Sequence, residues 1–395
     1  VIPAHPGLRG GPVYLDYNAT TPVDPRVVDA MLPHLGHHFG NPSSSHSYGD
    51  RPRRALDQSR AQVAALIGAR PGELIFTGSG SEADNLALRG AVLGTSADRP
   101  HVITQVTEHP AILETCRSLE RLHGAEVTYL PVDGVGLVDP AALAAALTER
   151  TVLVSVMAAN NETGALQPIA ELARITRAHG ALFHCDAAQA AGKIPLDVRE
   201  LGVDLLTVVG HKMYAPKGIA ALYVRQGVAV EPLVHGGGQE GGLRAGTENV
   251  ALAVALGTAA ELAAGELADG TPGGRIAALR DCLHRRLTDA LPGRVHLNGP
   301  DTGRLPNTLN VSIDGLLGHE LLVAAPGLAA STGSACHRDT HTPSPVLTAM
   351  GLDADRALGA LRLSLGRWST PEEIETAATA LLKAVADLAA TASSR

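Results

Sequence analysis

Four short stretches hold residues that could do chemistry together. "TGSGSEADN" (77–85) places Gly80 and Ser81 where a β-like run gives way to a helix-length segment. Small residues there let the backbone approach an anion, and a helix N-terminus offers free N–H groups and a positive dipole end. Asp186 ends the run "ALFHCD", and Lys212 follows the run "DLLTVV" in "GHKMYAPKG" (210–218). A carboxylate at a strand end ordinarily caps the next helix, and a lysine there is ordinarily a solvated end residue. Facing one cleft, the aspartate can pair with a protonated ring nitrogen and the lysine can form a Schiff base with a carbonyl cofactor. Anion cradle, carboxylate and amine match the phosphate, ring nitrogen and aldehyde of pyridoxal phosphate. The fourth stretch, "STGSACHRD" (331–339), puts Cys336 among small polar residues rather than in a core pattern. Free cysteines are usually buried apolar residues. A thiol on a flexible loop is instead a candidate nucleophile, its thiolate fraction open to neighbours such as His337 and Arg338.

The elements that must position these residues alternate. β-like runs stand at 73–77, 101–107, 126–130, 151–157, 181–186, 204–209 and 219–224, and helix-length segments separate the first six. This predicts an α/β fold: a mostly parallel seven-stranded sheet covered by helices on both faces. Only a short turn-rich link, "GHKMYAPKG", joins the sixth run to the seventh, so the seventh is expected to be antiparallel or displaced. In an open sheet of this kind ligands sit beyond the carboxyl ends of the strands, where Gly80, Asp186 and Lys212 fall. A glycine-rich stretch (235–249) precedes a long helical region to about 290. Further strands are expected at 307–313 and 360–365. Thr370, Pro371 and Glu373 then spell a helix start. We expect a large domain over 21–260, and a smaller α/β domain from 1–20 and 261–395.

The chain has 395 residues and a net charge of −8, against the basic face that direct nucleic-acid binding needs. No run reaches the roughly 20 apolar residues of a membrane span, and the start shows no secretory signal pattern. The four cysteines, Cys116, Cys185, Cys282 and Cys336, include no C-x-x-C pair, so neither a disulfide framework nor a zinc site is expected. A reducing cytoplasm is the expected compartment. Cys116 and Cys282 fall in helical segments and Cys185 in a core strand, which makes them structural.

Taken in order, "YLDYNATTPVDPRV" (14–27), "FGNPSSSH" (39–46), "TEHPA" (107–111), "NNETG" (160–164), "DAAQAAGK" (186–193), "GHKMYAPKG" (210–218), "GGGQEGGLRAGTEN" (236–249), "STGSAC" (331–336) and "LRLSLGR" (361–367) resemble the class V aminotransferase group of pyridoxal-phosphate enzymes of fold type I. Within that group they resemble the cysteine desulfurases and selenocysteine lyases. The resemblance implies that Lys212 bonds the cofactor aldehyde and moves the substrate α-proton, that Asp186 pairs with the ring nitrogen, and that His109 stacks on the ring and shares in proton transfer. It implies Gln189 at the ring hydroxyl and Gly80, Ser81 and His211 at the phosphate. Thr247 is expected to reach in from the other subunit of a homodimer. Asn161 and Arg362 are expected at the substrate carboxylate, Asn161 also beside the cofactor. Cys336 then takes sulfur from L-cysteine as a persulfide, leaving L-alanine, and passes it to an acceptor protein or small thiol. Two positions depart from the pattern: Val209 stands where the family often has a phosphate-binding serine, and Gly80–Ser81 replaces an Ala-Thr pair. L-selenocysteine is the alternative substrate with the same residues. An aminotransferase or a C–S β-lyase would not need Cys336, and a non-catalytic scaffold would not need the full set of Lys212, His109, Asp186 and Cys336.

Overall fold

The computed structural model describes residues 5–333 and 342–393. A short first strand, β1 (Val13–Tyr14), precedes the strands of the main sheet. These are β2 (Leu74–Thr77), β3 (His101–Gln105), β4 (Glu126–Leu130), β5 (Thr151–Ser155), β6 (Leu182–Asp186), β7 (Leu205–Val209) and β8 (Ala220–Val224). Their order is β2-β8-β7-β6-β5-β3-β4. The seven expected runs are thus the seven strands of one sheet. β3 to β7 pair in parallel, and β8 runs antiparallel to both β7 and β2. The β7–β8 link is too short for a crossover helix, which leaves the reversed direction.

Successive residues of each strand serve opposite faces. Leu206 and Val208 of β7, with Phe183 and Val154, pack under the helices Ile169–His179 and Val250–Asp269. Leu205, with Leu153 and Val102, packs under Gly80–Leu93 and Pro110–His123. Burial on both faces explains why the central strands read as continuous apolar runs rather than alternating ones. At the edge, β4 keeps Glu126 exposed. The helix Val250–Asp269 is long and apolar enough by composition to cross a membrane. It packs instead against Ser47–Leu66, with Leu256, Ala260 and Ala263 in the core. A Cβ on its Gly257 would stand 2.6 Å from Ser59 Cα, so only glycine lets the two backbones approach this closely.

The helical region expected to run to 290 is two helices, Val250–Asp269 and Thr271–Ala290, separated at Gly270. Pro272 has no N–H to continue the first helix. A second apolar cluster joins Leu283 and Leu287 to Leu15, Val311, Leu361, Leu363 and Leu381. It is built on an antiparallel sheet, β9 (Val295–Leu297), β10 (Thr308–Ile313) and β12 (Ala360–Ser364), in the order β12-β10-β9. β1 pairs in parallel with β11 (Leu328–Ala329). The helix Pro371–Ser393 begins with a reciprocal cap: Glu373 N donates to Thr370 Oγ1 and Thr370 N to Glu373 Oε2. Residues 16–21 link the two clusters. Tyr17 N donates to Ser364 O, and Thr21 N to His211 O in the turn after β7.

Candidate active site

The carboxyl ends of β2, β3, β5, β6 and β7 open on one cavity of about 410 Å³. Gly80, Ser81, His109, Asn161, Asp186, Gln189, His211, Lys212 and Arg362 all line it. Thr247 is not among its walls and is exposed. Cys336 lies outside the described residues. Gly333, before that stretch, lies close to Glu162, and Ser344 Oγ, after it, donates to Glu162 Oε2 at 2.6 Å.

Each wall follows from local structure. Past β2, Ser79 caps the helix Gly80–Leu93 by accepting from Glu82 N at 3.1 Å. The N–H groups of Gly80 and Ser81 have no hydrogen-bond partner among the described residues, which leaves an anion-binding helix end. A Cβ on Gly80 would lie 2.6 Å from Val209 Cγ2. The two departures from the family pattern are therefore one feature: the larger residue at the end of β7 fills the room that a side chain at 80 would need.

At the end of β6, Asp186 is buried and accepts from Ala188 N at 2.9 Å through Oδ1. Burial pushes its carboxyl above the usual range, while that hydrogen bond and the His109 and Lys212 charges pull the other way. A cationic ring nitrogen held against it favours the carboxylate. His109 caps the helix Pro110–His123, its Nδ1 accepting from Ala111 N at 3.1 Å. Burial lowers its pKa, so the neutral ring keeps its proton on Nε2. His211 is held near pKa 4 by burial and then by the neighbouring Lys212 charge, and bonds Thr20 Oγ1 through Nδ1. Lys212 ends the tight turn after β7, and its Nζ donates to Asn18 O at 2.6 Å and Ala19 O at 2.9 Å.

Arg362, on β12, is 1% exposed. Its Nη2 donates to Asp16 Oδ1 at 2.6 Å and its Nη1 to Asn161 O at 3.3 Å, while Nε is buried without a partner. A guanidinium with an unspent donor on a cavity wall suits a carboxylate ligand. Gln189 donates from Nε2 to Asn18 O at 2.9 Å. The structural cysteines sit as expected: Cys116 and Cys185 are buried and Cys282 half-buried. Burial pushes the Cys116 thiol up to about 12.

Several site residues were given no role from the sequence. Asn18 is buried, and its carbonyl takes both Lys212 and Gln189. Its side chain bonds Asn161 O, Thr308 Oγ1 and Asn307 Nδ2. Asp84, one turn below Gly80, also lines the cavity. Glu108 lies beside His109, and Lys193 beside Gln189. Asn18, Glu108 and Lys193 lie inside quoted motifs, which was the available signal; periodicity carried none.

The model of the family "Aminotransferase class-V" matches residues 13–376. The chain is 45% identical over 364 residues to cysteine desulfurase IscS of Dictyoglomus turgidum, a match covering 92% of this chain and 91% of that protein. Among solved structures, a NifS-like protein superposes with a TM-score of 0.88 at 36% identity, covering 95% of this chain and 99% of the other. A structure described as SspA in complex with cysteine gives 0.81 at 35% identity, with 90% and 99% covered. With a match of this span laid over a cavity walled by these residues, the chain belongs to the class-V aminotransferase family, among its cysteine desulfurases.

Proposed function

We propose that this protein is a pyridoxal-phosphate-dependent cysteine desulfurase that converts L-cysteine to L-alanine and receives the sulfur on Cys336. The observation that carries this reading is the convergence of Lys212, Asp186, His109 and the Gly80–Ser81 helix end on one cavity with Arg362 in its wall. The residues fit the cofactor: two unpartnered N–H groups for a phosphate, a buried carboxyl with one oxygen engaged, and an amine held by main-chain carbonyls. When bound, the cofactor supplies an aldehyde for amines and an electron-accepting ring that makes the substrate Cα proton acidic.

The chain's own groups do the rest. Asp186 keeps a positive charge on the ring nitrogen. Arg362 binds the substrate carboxylate through its unspent Nε donor, with Asn161 beside it. Lys212 moves the proton at Cα, and His109 presents its Nε2–H within the same cavity. The Cys336 thiolate bonds the substrate Sγ. The Cβ–Sγ bond breaks with its electron pair left on the carbon skeleton, and protons returned to carbon complete alanine. The persulfide sulfur then goes to an acceptor protein or small thiol. Thr247, exposed and outside the cavity, serves the phosphate of a second copy in a homodimer. Unpaired Cys116, Cys185 and Cys282 suit a reducing cytoplasm. We divide the chain at Gly270 rather than near 260, because the helix Val250–Asp269 packs as one piece on the cofactor domain; residues 1–20 join the smaller domain.

Mass spectrometry after exposure to L-cysteine tests the reading. The Cys336 peptide is expected to gain one sulfur. Cys336→Ser is expected to keep the visible absorption of bound cofactor yet make no alanine, whereas Lys212→Ala loses that absorption. Full alanine production by Cys336→Ser refutes the thiol's role. Parallel assays with L-selenocysteine decide between the two substrates.

A further inference from the structure

Arg362 comes to the cavity with its charge already matched. Its Nη2 donates to Asp16 Oδ1 at 2.6 Å, and its side chain is 2% exposed against 21% for that of Asp16. Asp16 does not line the cavity itself, so any effect it has on a ligand passes through Arg362. Its main chain is pinned. Asp16 O accepts from Ala19 N at 3.0 Å and from Tyr14 Oη at 3.2 Å. Asp16 also bridges in parallel to Ser364, two residues beyond Arg362 at the end of β12. The turn after β1 thus carries the carboxylate to the guanidinium. On the other side of the account, Nη1 donates to Asn161 O at 3.3 Å, and Nε is the buried donor left without a partner.

We propose that Asp16 is a positioning residue that sets the affinity of Arg362 for its ligand: its carboxylate offsets the guanidinium charge, so that the carboxylates of L-cysteine and of the product L-alanine are held loosely enough to exchange. This rests on the reading of Arg362 as the group that binds the substrate carboxylate. The electrostatics have a definite sign. A carboxylate at Nε is attracted by Arg362 and repelled by Asp16, and away from bulk water both effects are strong. Substrate and product carry the same carboxylate, so a tighter grip would hold both alike. Such uniform binding lowers KM without raising kcat, and it delays the departure of alanine. The ion pair also ties the segment after β1 to β12. A pair this sheltered is weak grounds for stability, and a purely stabilising tie would act on every ligand equally.

The test compares L-alanine with ethylamine, which is the same molecule without the carboxylate. Calorimetry on the holoenzyme reads both affinities. In the wild type the two amines are expected to bind within about tenfold of each other, because the carboxylate meets a compensated arginine. Asp16→Asn keeps an Oδ1 acceptor for Nη2 and removes the charge. It should bind L-alanine about tenfold more tightly than the wild type and ethylamine as before. KM for L-cysteine should fall in step with the L-alanine constant. A wild-type preference for L-alanine much above tenfold, which needs no variant, overturns the proposal. So does an unchanged or weaker L-alanine affinity in Asp16→Asn, or an equal change for the two amines. Failure of the wild type to make alanine from L-cysteine would instead count against the functional reading, while the comparison of the two amines, which needs no turnover, would still decide the role of Asp16.

Discussion

Glu108 shows how much charge the site suppresses before any ligand is considered. Its Oε1 accepts from Met157 N at 2.6 Å and Gln105 Nε2 at 2.8 Å, while Oε2 is buried without a partner. Burial, then the Asp186 charge, pushes its carboxyl up to about 8. Asp84 is raised for the same two reasons. It lies 3.8 Å from His184, which burial holds near 3, so the neutral ring makes that contact no ion pair. Asp186 can then carry the negative charge of the cluster. A carboxyl raised in the folded state contributes stability that is complete below its unfolded pKa and is lost as pH rises toward the folded value. For Glu108 that window runs from about 4.5 to about 8. Glu108→Gln keeps the Oε1 acceptor and removes the titration. Relative to wild type, it should gain about 3 kcal/mol between pH 5.5 and pH 8, at 1.36 kcal/mol per pKa unit. Denaturant unfolding at the two pH values measures this, and a pH-independent difference would show that Glu108 does not titrate in that range.

At the scale of elements, the end of β7 and the start of the helix Gly80–Leu93 were shaped together. With Val209 Cγ2 standing 2.6 Å from the place of a Cβ at residue 80, Gly80→Ala should push the helix end out of position and weaken pyridoxal phosphate binding about tenfold. Val209→Ser opens that space and adds a hydroxyl. The double variant should therefore regain most of the loss, a coupling of about 1 kcal/mol or more in a double-mutant cycle of cofactor affinity. Strictly additive effects would mean that the two side chains do not compete for the same volume. The same elements show what a sequence can disclose. The seven strands were legible because double-sided burial makes continuous apolar runs, and β8 was legible as reversed because its link is short. Strands as brief as β1, β9 and β11 leave no pattern to read. Gly80, Asp186 and Lys212 could be read as a group because each follows its own strand. Asn18 could not, since its partners lie more than 140 positions away in sequence and meet only after both apolar clusters form. Glu108 looked like an ordinary charged residue, because burial without a counter-charge is a tertiary fact.

At the scale of the whole molecule, the described residues leave one apolar patch in solvent. Phe39 is 70% exposed and Tyr48 65%, their rings 5.6 Å apart, with Leu32 and Leu35 exposed nearby in the chain. Aromatic residues are scarce, at three Phe, six Tyr and one Trp, so two placed side by side in solvent are a candidate contact surface for the proposed homodimer. Tyr48 lies in the first turn of the helix Ser47–Leu66, and Arg60 of that helix grips the glycine-rich segment. Its guanidinium pairs with buried Glu240 through two contacts of 2.7 Å, and Phe76 N donates to the same carboxylate at 2.7 Å. One helix thus joins the aromatic patch to the segment that carries Thr247. In the proposed homodimer, covering the patch and delivering Thr247 to the neighbouring cavity are one event. Phe39→Ser combined with Tyr48→Ser should therefore convert the protein from dimer to monomer in sedimentation and weaken pyridoxal phosphate binding in parallel. Thr247→Ala should weaken cofactor binding alone, with the sedimentation of the dimer unchanged. A patch variant that sediments as the wild type would show that the aromatic pair is not the subunit contact. A monomer that binds cofactor as tightly as the parent would show that each chain completes its own phosphate site.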